Sequence, residues 1–209
     1  MKPKLNSPIL PLRILTAKIT ESKTRPDIQV RELEIEQTLT SLISSSSHPP
    51  SQYSKEDREY TKLASVILLR KYSQGIETLV MEILKLLKEV WDAGVDSEMA
   101  KVVILESTRV VKEEKYSLEP RITGLKMLRK VISTLRKESL LEVTPMVLSL
   151  YIQVILGRIV KKDAIMIEGF GCLEEFIQKW TLDNPKSIQE TVAWAVKVRN
   201  ARERGDKVP

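Results

Sequence analysis

Helix-start signals recur along this chain at a nearly constant interval. They fall at Ser54, near Gly75, at Asp96 and at Ser117, 21 residues apart, and again at Thr144, Asp163 and Asn184. Between them run amphipathic or wholly apolar stretches of roughly 16 to 20 residues with almost no period-two alternation, so each interval holds one helix and a short connection. Helices joined so closely fold back on one another as antiparallel hairpins. Glycine is scarce at 7 and aromatics make up 5%, a composition that suits helices and argues against a turn-rich β-sandwich. The expected class is all-α, and 209 residues that are 42% apolar can bury one sizeable core.

Residues 1–25 read as a basic, irregular arm with a short helix from Pro11 to Thr20. Residues 26–53 form an N-terminal helix and a loop. From Asp27 to Ile43, the side chains Ile28, Ile35, Leu39, Leu42 and Ile43 share one face at 100° per residue, and the Ser/Pro cluster from Ser44 to Ser54 ends the helix. A regular array follows over 54–205, with 206–209 as a tail. Ser54-Lys-Glu-Asp57 opens it in the manner of a capping box, putting Tyr60, Leu63, Ala64 and Ile67 on the inward face. The next helix turns Ile76, Leu79, Val80, Ile83, Leu86, Leu87 and Val90 inward and stops at Gly94. The helix after Asp96-Ser97 is apolar on nearly every side and is expected to be central. Ser117 caps a helix with Ile122, Leu125, Leu128, Ile132 and Leu135 inward. Thr144-Pro145 is expected to start another by the N-cap and Pro-at-N1 rules. Asp163 begins a helix in which Gly169 and Gly171 mark a close crossing or a bend, and Asn184-Pro185 begins the last.

Pairs of these helices repeat every 40 to 42 residues (54 to 96, 75 to 117, 144 to 184). That spacing is similar to HEAT and armadillo-like helical repeats, and the resemblance, which covers residues 54–205, implies a stacked array presenting a surface to a partner. An irregular multi-helix bundle satisfies the same periodicity, because two of the helices are apolar all round.

No residue pattern points to covalent chemistry. His48 is the single histidine and lies in the Ser/Pro loop, so the Glu-x-x-His pairs of helical di-metal sites cannot form. The adjacent pairs Glu113-Glu114 and Glu174-Glu175 diverge by 100° on a helix and read as solvated surface. Gly169-Phe-Gly171 lacks the context of a phosphate loop. Cys172, the one cysteine, has apolar neighbours and reads as an inert buried thiol; alone it excludes an internal disulfide and indicates a reducing compartment, the cytoplasm in the simplest reading. Glu106 lies among Met99, Val103 and Val110, with Arg109 as its expected ion-pair partner. The N-terminal stretch is broken by Pro8, Pro11 and Arg13 and does not read as a targeting signal. The uncharged run 143–157 falls short of a membrane span and reads as a buried helix.

The net charge of +6 is segregated. Residues 117–138 hold six lysines and arginines against two carboxylates, and both ends of the chain are basic. At 100° per residue, Lys126, Arg129, Lys130, Arg136 and Lys137 fall within an arc of about 120° opposite the apolar side, a candidate face for a phosphate backbone. No aromatic residues interleave with them, so phosphate contact without base readout is the expected mode. The sequence thus predicts a non-enzymatic scaffold or adaptor for a protein partner, without cofactor, metal or membrane. The alternative is a nucleic-acid-associated protein. An unfilled apolar face would predict a homo-oligomer.

Overall fold

The computed structural model of the protein describes residues 7–25, 30–92, 97–159 and 161–183, the side chains of Lys137 and of 181–183 excepted. The protein is all-α: eight helices and one 3₁₀ turn, Pro50–Gln52, with no strand among the described residues. The helices are α1 (Leu10–Glu21), α2 (Glu32–Ser44), α3 (Lys55–Tyr72), α4 (Glu77–Val90), α5 (Ser97–Lys112), α6 (Leu118–Thr134), α7 (Lys137–Ile155) and α8 (Asp163–Asp183). The helix expected after Asn184-Pro185, Gly94 and the first residues expected of α2 lie outside the described residues.

Local chemistry sets the helix starts. At α3, Ser54 Oγ accepts the Asp57 N–H at 3.1 Å, forming the N-cap half of the expected capping box, and donates to Asp57 Oδ2 at 2.9 Å. Ser117 precedes α6 without capping it through its own side chain; Glu77 of α4 takes the Ser117 N–H at 3.0 Å and the Ser117 hydroxyl. The expected start at Thr144-Pro145 is corrected. Helix α7 begins seven residues earlier at Lys137, and Pro145 lies inside it. The Thr144 hydroxyl donates to the Leu140 carbonyl at 2.7 Å, so it braces a running helix instead of opening one. The carbonyl that Pro145 leaves without its usual partner belongs to Leu141, a residue on the exposed side of the helix. Helices α3 to α8 therefore begin at Lys55, Glu77, Ser97, Leu118, Lys137 and Asp163, and the long interval is the last one.

The short helix expected from Pro11 to Thr20 is α1, and it packs on the array. Helix α1 buries Leu12, Leu15 and Ile19, and Ile9 just before it, in the common core, and Arg13 donates to Asp57 of α3 at 3.3 Å. The hairpins α1–α2, α3–α4, α5–α6 and α7–α8 stack in two layers. Odd helices touch odd neighbours (α1–α3, α3–α5, α5–α7), and even helices touch even ones (α2–α4, α4–α6, α6–α8). The core lies between the layers. Helix α4 is the most deeply held, with Leu79, Val80, Ile83, Leu84, Leu86, Leu87 and Val90 without solvent exposure. Helix α5, expected to be central, instead keeps Leu105, Arg109 and Lys112 outward. Helix α7 is long and apolar enough over Glu138–Ile155 to cross a membrane by length and composition; it packs here on α5 and α8.

Candidate interaction surface

The five cations expected on one helix face do not share one. Helix α6 ends at Thr134, so Arg136 is the N-cap residue of α7 and Lys137 its first residue. Lys126 is exposed. Arg129 forks onto Glu175 of α8, with Nε donating to Oε2 at 2.5 Å and Nη2 to Oε1, while its Nη1 lies 3.7 Å from Glu168. These bonds hold the Glu175 carboxyl below its usual range and raise the guanidinium further. Lys130 donates to the Lys88 carbonyl in the last turn of α4, and its partial burial pulls its pKa down. The cleft where these groups meet, about 480 Å³, is lined by Lys88, Lys126, Arg129, Lys130 and Ser133, and also by Glu168 and Glu175. Its cations are partly neutralised from a helix more than 30 residues downstream.

Other residues singled out in the sequence have structural partners. Glu106 is buried and accepts from Ser73 at 2.7 Å and from the expected partner Arg109 at 2.9 Å. Burial pushes the Cys172 thiol up to about 12, keeping it protonated. His48 is exposed and lies 3.3 Å from Ser47 Oγ. Among the described residues, no three potential ligands group together as a metal site. Gly169 marks a close crossing: a Cβ there would meet Val154 Cγ1 of α7 at 2.7 Å. Sequence reading missed Lys62, whose buried ammonium lies 2.9 Å from Glu59 and 2.6 Å from Asp92. The signal for it was Glu59, one turn earlier.

A second correction reveals a surface. Leu63 and Ile67, expected to face the core, point outward from α3; the buried side of that helix carries Thr61, Lys62, Ala64, Ser65, Leu68, Leu69 and Tyr72. Thr61 is tolerated there because its hydroxyl donates to the Asp57 carbonyl at 2.7 Å.

The contacts between odd helices fix which way each outer side looks. Arg13 meets Asp57 and Thr16 meets Tyr60, a constant offset of 44 between α1 and α3. Ser73, at the end of α3, meets Glu106 in the second half of α5, while Lys62 reaches Asp92, which follows α4. Ser97 meets Ser139 at 2.9 Å, and Lys101 meets Glu142 at 2.5 Å, between the first turns of α5 and α7. The four odd helices thus run parallel, and each turns the sector between its lateral contacts outward. In that sector lie Ile14, Leu63, Ile67, Leu105 and Leu141, all 41–51% exposed. They form an interrupted apolar band across one layer, with Ile14 level with Arg58 of α3 and Leu105 with Tyr72.

No family model, no curated protein and no solved structure matches this chain. The band, the neutralised cleft and the layered order of the helices are therefore the observations on which a function rests. On the other layer, the outward side chains of α4 and α6 are polar, and among the described residues its exposed large apolar groups are Leu33 of α2, Ile76 just before α4, and Ile167 and Phe170 of α8.

Proposed function

We propose that this protein is a non-enzymatic interaction module, a HEAT-like stack of helical hairpins that serves as a scaffold or adaptor for another polypeptide. The observation that carries this reading is the apolar band of Ile14, Leu63, Ile67, Leu105 and Leu141 on the outer side of α1, α3, α5 and α7. Single exposed leucines are ordinary on protein surfaces. Their recurrence on four successive helices of one layer supports an association site. The order of helix contacts, odd on odd and even on even, is the order a HEAT-like array has. The nucleic-acid reading is less favoured, because Arg129 and Lys130 are engaged by Glu175 and a backbone carbonyl, and Arg136 and Lys137 belong to another helix.

A photo-reactive residue at position 105, in protein expressed in its native cells, tests the reading. Covalent adducts with another polypeptide chain are expected from position 105 and not from position 85, where Lys85 is exposed on the opposite layer. Absence of adducts from position 105, or equal labelling from both positions, overturns it.

A further inference from the structure

On the layer opposite the apolar band, the groove between α6 and α8 leads into a cavity of about 370 Å³. Its inner wall is Ile132, Tyr151 of α7, Cys172 and Phe176, none more than 3% exposed, and its mouth carries Arg129, Glu175 and Lys179. Phe176 meets Tyr151 edge-on at 6.3 Å and stacks on Trp180 at 6.2 Å, so the aromatic part of the wall is preformed. Two groups lining this cavity lack the partners that their neighbours have. The Tyr151 hydroxyl is buried and makes no hydrogen bond; the Cys172 thiol beside it, a weak acceptor, donates to the Leu125 carbonyl at 3.6 Å. Lys179 donates to the Ser133 carbonyl at 2.8 Å and pairs with no carboxylate among the described residues. Glu175, the carboxylate of the mouth, is taken by the fork of Arg129, which leaves Lys179 as the uncompensated charge there.

A buried hydroxyl without a partner is costly, and an ammonium at the mouth of an apolar cavity attracts an anion. Together the two groups fix the ends of a ligand. Tyr151 stands beside Cys172, and Lys179 lies seven residues beyond Cys172 on α8, about 10 Å along the helix axis. A flat two-ring acid spans that length and lays its apolar body along Ile132 and Phe176. We propose that this cavity binds a small aromatic acid, its carboxylate at Lys179 and a hydroxyl or carbonyl oxygen at its far end taking the hydrogen bond of Tyr151. The Arg129–Glu175 pair borders the site and stays closed on itself. The site is separate from the apolar band, and neither needs the other.

Calorimetric titration of the purified full-length protein tests it, with a hydroxynaphthoate whose hydroxyl and carboxylate stand at opposite ends of the two rings. Saturable binding of one molecule is expected, with a dissociation constant below about 1 mM. The naphthoate that lacks the hydroxyl, and the hydroxynaphthyl alcohol that lacks the carboxylate, are each expected to bind at least about fivefold more weakly. Tyr151→Phe is expected to abolish the first of these differences and keep the second, and Lys179→Met to do the reverse. In the free protein, Tyr151→Phe is expected to leave the urea midpoint unchanged or to raise it, because the hydroxyl removed has no bond to lose. Weaker binding by that variant therefore cannot come from damage to the fold. Absence of binding at about 1 mM, equal affinity for the three compounds, or a difference that survives the variant meant to abolish it overturns the proposal. Destabilisation by Tyr151→Phe also overturns it, since the hydroxyl would then be satisfied within the protein.

Discussion

Glu77 shows how one side chain of this protein serves two helices. It lies in the first turn of α4, where a carboxylate suits the dipole, and reaches the Ser117 N–H and hydroxyl at the start of α6. A capping group supplied from a neighbouring hairpin ties the second and third pairs together at their ends. Glu77→Ala is expected to lower stability by about 1 kcal/mol, the usual worth of a cap. The hydrogen bonds from Ser117 hold the Glu77 carboxyl below its ordinary value. Its contribution is therefore complete above the unfolded-state value near 4.3 and is lost as pH falls through the lower folded-state value. The gap between wild type and Glu77→Ala in urea unfolding is expected at pH 7 and should narrow progressively below about pH 4. A gap of constant size across that range would show that Glu77 acts through packing alone.

At the scale of the element, α8 offers two glycines with opposite expected responses, Gly169 against α7 and Gly171 beside Arg129 of α6. A methyl group at Gly169 runs into Val154 Cγ1, a stiff β-branched side chain without solvent exposure. A methyl at Gly171 meets only Arg129 Nη1 at 3.6 Å, an ordinary contact. Gly169→Ala is expected to cost about 1–3 kcal/mol by overpacking, and Val154→Ala in the same chain to recover part of that loss. Gly171→Ala is expected to gain roughly 0.5–1 kcal/mol from the lower chain entropy of alanine in a helix. Thermal or urea unfolding of the four proteins reads both signs, and destabilisation by Gly171→Ala would show that α8 needs flexibility there. Element identity was largely legible in the sequence because helix length, caps and apolar period are local. The inward side of α3 was not. Tyr60, Leu63, Ala64 and Ile67 make the more apolar arc, yet Thr61 and Lys62 are the buried pair, satisfied by Asp57, Glu59 and Asp92. The start of α7 was not legible because Thr-Pro fits an N-cap rule and, where the residue four before the proline is exposed, a helix interior as well. The basic cluster was visible as charge, whereas the carboxylates of Glu168 and Glu175 that neutralise Arg129 come from a helix that only the tertiary fold brings there.

At the scale of the molecule, the two layers of the stack have different surfaces. The outer side of α2, α4, α6 and α8 carries paired charge, such as Lys85 with Glu82 and Arg129 with Glu175, while the outer side of α1, α3, α5 and α7 carries the apolar band. Helix α1 covers one flank of α3, where Ile9, Leu12, Leu15 and Ile19 enter the common core and Ser7 donates to Asp57 at 2.9 Å. If α1 belongs to the cooperative unit, Leu12→Ala removes a fully buried side chain and is expected to lower the unfolding free energy by about 2–5 kcal/mol, measured by urea titration with far-ultraviolet circular dichroism. The same titration followed by fluorescence of Trp91 in a Trp180→Phe/Trp194→Phe background should shift by the same amount, since Trp91 is buried against α6 through its indole N–H bond to Thr134 at 3.0 Å. Coincident shifts mean that packing is transmitted from α1 at one end, through α3 and α4, to the third hairpin. A circular dichroism transition that splits in two, with the tryptophan signal unmoved by Leu12→Ala, would instead divide α1 from the stack as a separately melting arm, and the apolar band would then lose Ile14 and begin at Leu63.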